Sequence, residues 1–207
     1  MCNCYRVTSP AFRKSALGTR WMETMKGDLE NSDDWKGLVV RPTVTAPIYT
    51  LEKGCSGMRW GFERPWAKSI NNARLEKRGT MWKKAWAMGR CLIPMSGWYE
   101  FSGETGRMKC HLLEPVEGGP ILAAGLWEAH EVLGDCFTMI MAESDPATLQ
   151  GKIHNRMPVL LSHDDGERWM AEEPPDLMGS PGIEVKETIV PSPLKKRKVD
   201  LVQGDLL

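Results

Sequence analysis

Cysteine stands second in this chain, directly after the initiator methionine, in Met1-Cys2-Asn3-Cys4. Methionine aminopeptidase clears an initiator methionine when the next residue is small, and cysteine is small. The mature chain would then begin with a free α-amine and a thiol on one residue. No internal cysteine offers that pair. An α-amine titrates at about 7.7–8.0, so a useful fraction is unprotonated near neutral pH. It condenses with an aldehyde to an imine, and the adjacent thiol can close on that imine as a five-membered thiazolidine. Cys2 is therefore a candidate nucleophile of an uncommon kind. A second-position cysteine also arises by chance, and the downstream motifs decide between the two readings.

A second kind of chemistry is written in the charge pattern. Net charge is zero, with 27 basic and 27 acidic residues, yet the distribution is polar. Nine basic and two acidic residues lie between Arg59 and Arg90, and eight acids with two bases between Asp164 and Glu187. Four of the nine tryptophans, Trp60, Trp66, Trp82 and Trp86, fall in the basic stretch. Cations interleaved with aromatics suit single-stranded nucleic acid, with phosphates on the cations and bases on the rings. Core tryptophans beside a solvated basic face would read the same way.

The elements that must position these groups are many and short. A chain of 207 residues makes one large domain or two small ones, and 42% hydrophobic with 26% charged residues is ordinary for a soluble protein. No apolar run is long enough to span a bilayer, and the start lacks the apolar segment of a secretory signal. A cytoplasmic location, nucleoid-associated in a bacterium or phage, is expected, with the six scattered cysteines reduced. There is no CxxC pair, so a structural zinc site is not expected, and no cofactor is expected either. Strands are expected at Leu38–Val40, Ile48–Leu51, Met58–Phe62, Arg90–Met95, Trp98–Phe101, Met108–Leu113, Ile121–Glu128, Cys136–Met141, Pro158–Leu161 and Ile183–Val190. Residues Ser102–Gly106 and Gly134-Asp135 should turn hairpins. Helices are expected over Thr80–Met88, with Gly89 as C-cap, near Pro146, and after Ser162. One domain over residues 1–190 and a basic, flexible tail over 191–207 complete the layout.

Four cassettes follow in order: Ile70-Asn71-Asn72-Ala73-Arg74-Leu75-Glu76, Arg90 to Phe101 with Gly97-Trp98-Tyr99-Glu100, Ala124-Gly125-Leu126-Trp127-Glu128, and Ile153-His154-Asn155-Arg156-Met157-Pro158. With Met1-Cys2 and the segment from Trp60-Gly61-Phe62 to Trp66, they resemble the SRAP family of SOS-response-associated peptidases, or abasic-site-processing proteins. The similarity runs from Cys2 to about Leu161. It implies an α+β fold: a single domain with a barrel-like mixed β core, peripheral helices and a basic cleft. It implies a sensor that crosslinks to abasic sites in single-stranded DNA through Cys2, shields the lesion, and removes Met1 by its own peptidase activity. A lyase activity belongs to the same expectation.

By motif, Cys2 matches the nucleophile, with Asn72, Glu100 and His154 as its catalytic companions. Arg74 and Arg156 match arginines near DNA backbone, and Trp60, Trp66 and Arg6 complete the expected DNA contacts. The partner implied is single-stranded DNA with abasic sites, without a membrane, and the chain is expected to act as a monomer. The chemistry of the residues agrees. An abasic sugar is only rarely an open aldehyde, so a catalyst should protonate the ring oxygen and take protons from the amine. His154 titrates near neutral pH. Glu100 sits among Trp98, Tyr99 and Phe101, and burial raises a carboxyl. Asn72 both donates and accepts. Singly, Glu100 could be an ion-paired strand residue, His154 a satisfied core histidine and Asn72 a turn or cap.

The chain departs from the family in places. Asn3 and Cys4 replace the usual Gly-Arg, with Arg6 as a substitute for the arginine. Phe101 replaces a common tryptophan, and Met139–Pro146 lacks the threonines often found there. Two other functions fit parts of the pattern. One is an N-terminal-nucleophile peptidase or amidohydrolase acting on acyl bonds. The other is a non-covalent single-strand binding module. The run Lys195-Lys196-Arg197-Lys198 looks like a nuclear-localisation signal, but a phosphate-contacting or solvated tail is preferred.

Overall fold

The computed structural model describes residues 2–7, 38–105, 107–171 and 183–194. Met1, the turn residue Gly106 and the Lys195–Lys198 run lie outside the described residues, as does much of the acidic stretch. In chain order the strands are β1 (Tyr5–Val7), β2 (Leu38–Val40), β3 (Thr45–Thr50), β4 (Gly54–Trp60), β5 (Phe62–Arg64), β6 (Ala67–Ile70) and β7 (Asn72–Arg74). Helix α1 (Lys83–Met88) precedes β8 (Arg90–Met95), β9 (Gly97–Ser102), β10 (Lys109–Pro115), β11 (Ile121–His130) and β12 (Gly134–Glu143). Helix α2 (Leu149–Ile153), β13 (Arg156–Pro158), β14 (Leu160–Leu161), helix α3 (His163–Met170) and β15 (Val185–Val190) follow.

Five strands close into a barrel. β4 runs parallel to β12, and β3 pairs with both β4 and β8. β8 pairs with β11, and β11 returns to β12. Ile48, Met58, Trp60, Cys91, Ile93, Met95, Phe137 and Met139 fill the interior. Their neighbours on the same strands, such as Leu92, Leu122, Ala124 and Leu126, point outward under Trp82 and Trp169. β8 is thus covered on both faces, which is why Arg90–Met95 reads as an unbroken apolar run rather than an alternating one.

A second sheet, in the order β15-β10-β9-β1-β2, carries the start of the chain against the barrel. Its inner face gives Tyr5, Val7, Trp98 and Leu113 to the barrel core. Its outer face gathers Cys4, Tyr99, Cys110 and Leu112.

Several expectations change in detail. Met58–Phe62 is two strands, because the chain turns at Gly61 with φ 117°. Pro158–Leu161 breaks at Val159, whose N–H donates to Ile140 O and whose carbonyl accepts from Ala124 N–H, tying two barrel strands. The helix expected near Pro146 begins only after Thr148, whose hydroxyl accepts from Gly151 N–H. Ser162 does cap α3, accepting from Asp165 N–H at 3.1 Å. Gly89 is the C-cap of α1 as expected, its N–H donating to Ala85 O, but not in the left-handed conformation. Its φ is −128°, but a Cβ there would meet Trp127 O at 2.1 Å. Strands β1, β6 and β7 lie where the sequence pattern predicts none.

Candidate active site

Residues 2–4 run on from β1 along β9, with Tyr99 N–H donating to Cys4 O at 3.0 Å. Cys2 is enclosed in the barrel-facing core beside Tyr5 and Trp98. Its Sγ–H donates to Cys4 O at 3.3 Å. Burial pushes the thiol well above its ordinary range, and the Glu100 charge adds to that. Asn72 Nδ2 donates to the Cys2 carbonyl at 2.8 Å, and Asn71 Nδ2 to Asn3 Oδ1 at 3.0 Å. The start of the chain is therefore clamped by two adjacent asparagines. They hold their place because β7 runs parallel to barrel strand β12, with Asn72 beside Met139. Asn71 O accepts from Met139 N–H and from the Trp60 indole Nε1–H at 2.8 Å.

Glu100 lies mid-strand in β9 and is 2% exposed. Burial pushes its carboxyl up to about 7, and the positive amino terminus pulls it back. Of the three flanking aromatics, Trp98 shares its face, while Tyr99 and Phe101 pack on the opposite side with Cys4. The burial that raises Glu100 comes from the barrel rather than from that aromatic run.

His154 caps the end of α2 in an extended conformation. Its carbonyl accepts from Ser144 Oγ–H at 2.5 Å, and its Nδ1 accepts from Arg156 N–H at 3.0 Å. A neutral ring so held carries its proton on Nε2. Burial lowers its pKa, and the charge of the amino terminus lowers it further. Glu100 and His154 thus both sense the amino terminus that leads into Cys2. Asn72 thus holds the Cys2 carbonyl and the Glu100 charge acts on the Cys2 thiol.

A model of the SOS response associated peptidase (SRAP) family matches residues 1–191. The chain belongs to the SRAP family. It is 29% identical over 125 residues to the abasic site processing protein YoaM of Bacillus subtilis, covering 55% of each chain. It is 29% identical over 121 residues to the abasic site processing protein YedK of Escherichia coli, covering 55% of this chain and 54% of the relative. It therefore spans about half the length of these curated relatives. A solved Bacteroides thetaiotaomicron protein shares the fold with a TM-score of 0.73 at 16% identity, covering 92% of both chains. A solved Bordetella bronchiseptica protein does so at 0.68 and 21%, covering 92% of this chain and all of its own.

The remaining expected contacts of this SRAP chain divide sharply. Arg74 is exposed on β7. Arg156 is forked onto Glu76, at 2.9 and 2.7 Å, and holds that carboxyl down to about 2. Arg6 is half-buried and ion-paired to Glu114. Trp66 is 70% exposed, on a groove of about 580 Å³ with Arg64, Lys68 and His130. Trp60 is a correction: it is 0% exposed, stacked on Phe137 at 6.2 Å and edge-on to Tyr5 at 5.1 Å. No ring face is open to a base, and its service is to the core and to Asn71. Asn71, Ser144 and Glu76 are further site residues, holding Asn3, the His154 carbonyl and Arg156 respectively. Only the doubled asparagine at positions 71 and 72 marked any of these in advance.

Proposed function

We infer that this SRAP chain captures abasic sites in single-stranded DNA as a covalent thiazolidine on Cys2, after loss of Met1. The observation that carries the reading is the Asn72 hydrogen bond to the Cys2 carbonyl, beside a buried Glu100 whose charge acts on the same thiol. The family match and the names of the relatives point the same way.

In this reading His154 Nε2–H polarises the sugar ring oxygen, a proton passes from the anomeric hydroxyl to that oxygen by way of the imidazole, and the abasic residue opens to its aldehyde. The Cys2 amine adds to the carbonyl carbon, and the resulting carbinolamine loses water to give an imine. The thiol then adds across the C=N bond. Its proton leaves through Glu100 and returns to nitrogen. A thiol buried and protonated before reaction is suited to this order, since it needs a base only once the imine stands beside it. Asn72 fixes the backbone of the nucleophile throughout. Removal of Met1 by the same pocket, with Glu100 moving the protons, accounts for a peptidase activity. Arg74 and Trp66 supply phosphate and base contacts from the basic stretch, with Arg156 behind its Glu76 partner.

The test is a denaturing gel and an intact mass, taken before and after incubation with an abasic single-stranded oligonucleotide. The expected product is the sum of both masses less one water, formed from a protein lacking Met1. Cys2→Ser should lose the stable adduct, although a borohydride-trappable imine is retained. An undiminished stable adduct in Cys2→Ser overturns the assignment.

A further inference from the structure

On the face of the five-stranded sheet that also carries Glu100, three side chains on adjacent strands form a connected array. Ser102 ends β9, His111 lies in β10 and Glu187 in β15. His111 stands opposite Glu100 on one side and Ile189 on the other, and Glu187 opposite Leu113. The two-residue alternation of strands then puts Ser102, His111 and Glu187 on one face of the sheet. Ser102 Oγ is 2.7 Å from His111 Nε2, and His111 Nδ1 is 2.6 Å from Glu187 Oε1.

The chemistry assigns the protons. A carboxylate accepts and does not donate, so Nδ1 carries the ring proton toward Glu187. In the neutral ring that leaves Nε2 as the lone-pair nitrogen, and the Ser102 hydroxyl donates to it. His111 is 6% exposed and bonded at both ring nitrogens, so its ring is fixed in orientation. Ser102 is half-exposed, and the next residue, Gly103 at φ 100°, turns the chain away without a side chain to crowd the hydroxyl. A serine on the basic nitrogen of a histidine, with a carboxylate on the other nitrogen, is recognised by this geometry rather than by order in the chain. The steps assigned to Cys2, Asn72, Glu100 and His154 use none of the three, and Glu100 stands directly across from His111 on the same face.

We propose that Ser102, His111 and Glu187 form a second, DNA-independent nucleophilic site that takes small activated carboxylic esters by acyl transfer to Ser102. Ser102 Oγ attacks the ester carbonyl carbon while its proton passes to His111 Nε2. Glu187 stabilises the imidazolium. The tetrahedral adduct expels the alcohol, which receives that proton, and leaves an acyl ester on Ser102. Water, deprotonated by the same nitrogen, releases the carboxylic acid and restores the hydroxyl. Acyl-bond hydrolysis in trans by this chain then arises at Ser102, not at the enclosed Cys2 thiol.

The experiment uses the full chain with p-nitrophenyl acetate as substrate and a fluorophosphonate as covalent probe. The label should map to Ser102 by peptide mass. Ser102→Ala should abolish both label and ester turnover, while Cys2→Ala leaves both unchanged. His111→Gln should lower turnover by about 10²–10⁴, the usual worth of a general base. Ser102→Ala removes one oxygen at a strand end and keeps the fold, so its result decides. No phosphonylation of Ser102, or wild-type turnover in Ser102→Ala, overturns the proposal. The two sites separate cleanly: Ser102→Ala should still form the abasic-DNA adduct, and Cys2→Ala should still hydrolyse the ester.

Discussion

Glu100 should make the protein less stable and more reactive at the same time. Burial moves its carboxyl from an ordinary 4.5 to about 7. At about 1.4 kcal/mol per pH unit, ionising it in place costs ~3 kcal/mol relative to the unfolded chain. The sign follows from the direction. A raised carboxyl carries no penalty below about pH 4.5, where it is neutral in both states. The penalty grows as pH climbs toward 7 and is complete above it. Glu100→Gln removes the charge, so the variant should gain stability over wild type with rising pH. A chain of this size shifts by roughly 2–4 °C per kcal/mol, which gives a relative gain of roughly 6–12 °C between pH 4.5 and pH 8. Thermal melts of both proteins across that range read it directly. The change with pH carries the test, because any cost of the buried amide itself is the same at every pH. Over the same range Glu100→Gln should slow adduct formation by about 10²–10⁴. A melting difference that is flat with pH, or that turns against the variant as pH rises, refutes the burial argument.

Other outcomes follow from the remaining site residues. His154→Ala should slow adduct formation on natural abasic DNA by about 10²–10⁴ yet matter little on a pre-opened aldehyde, since the ring-opening step is bypassed. Equal slowing on both substrates removes His154 from that step. Trp60→Ala should cost about 3–5 kcal/mol of stability by emptying the core. Trp66→Ala should leave the melt unchanged and weaken single-strand binding by about 1–3 kcal/mol. A titration and a melt of each variant check the pair, and a stable Trp60→Ala protein sinks the assignment. Glu76→Gln should release Arg156, tighten binding to single strands and steepen its salt dependence by at most about one unit of slope. Arg156→Ala should do the reverse for all sequences alike. Binding isotherms at several salt concentrations that do not move in either variant make the Arg156–Glu76 pair purely structural.

Part of the fold is legible in local pattern. β8 occupies the residues its apolar run predicts, because a strand covered by barrel core on one side and by helix α3 on the other needs no polar face. The α3 start is legible because Ser162 and Asp165 satisfy each other within four residues. β7 is not legible. Asn72-Ala73-Arg74 has no alternation of its own and is a strand only because β12, remote in sequence, offers a parallel edge. β1 is hidden for the same reason: three residues become a strand when β9 and β2 flank them.

The same division runs through the site. The cysteine at position two, the carboxyl, the imidazole and the order of the cassettes that carry them are properties of residue types, and the chain alone determines them. Which of them meet is decided by barrel closure. It sets Asn72 against Cys2 across 70 residues and turns Trp60 inward while Trp66, six positions on, faces solvent. It also brings Ser102, His111 and Glu187 together from three strands with no motif to announce them. The raised carboxyl of Glu100 is likewise tertiary. A glutamate becomes a proton exchanger near neutral pH only where packing removes the water that would otherwise solvate its charge.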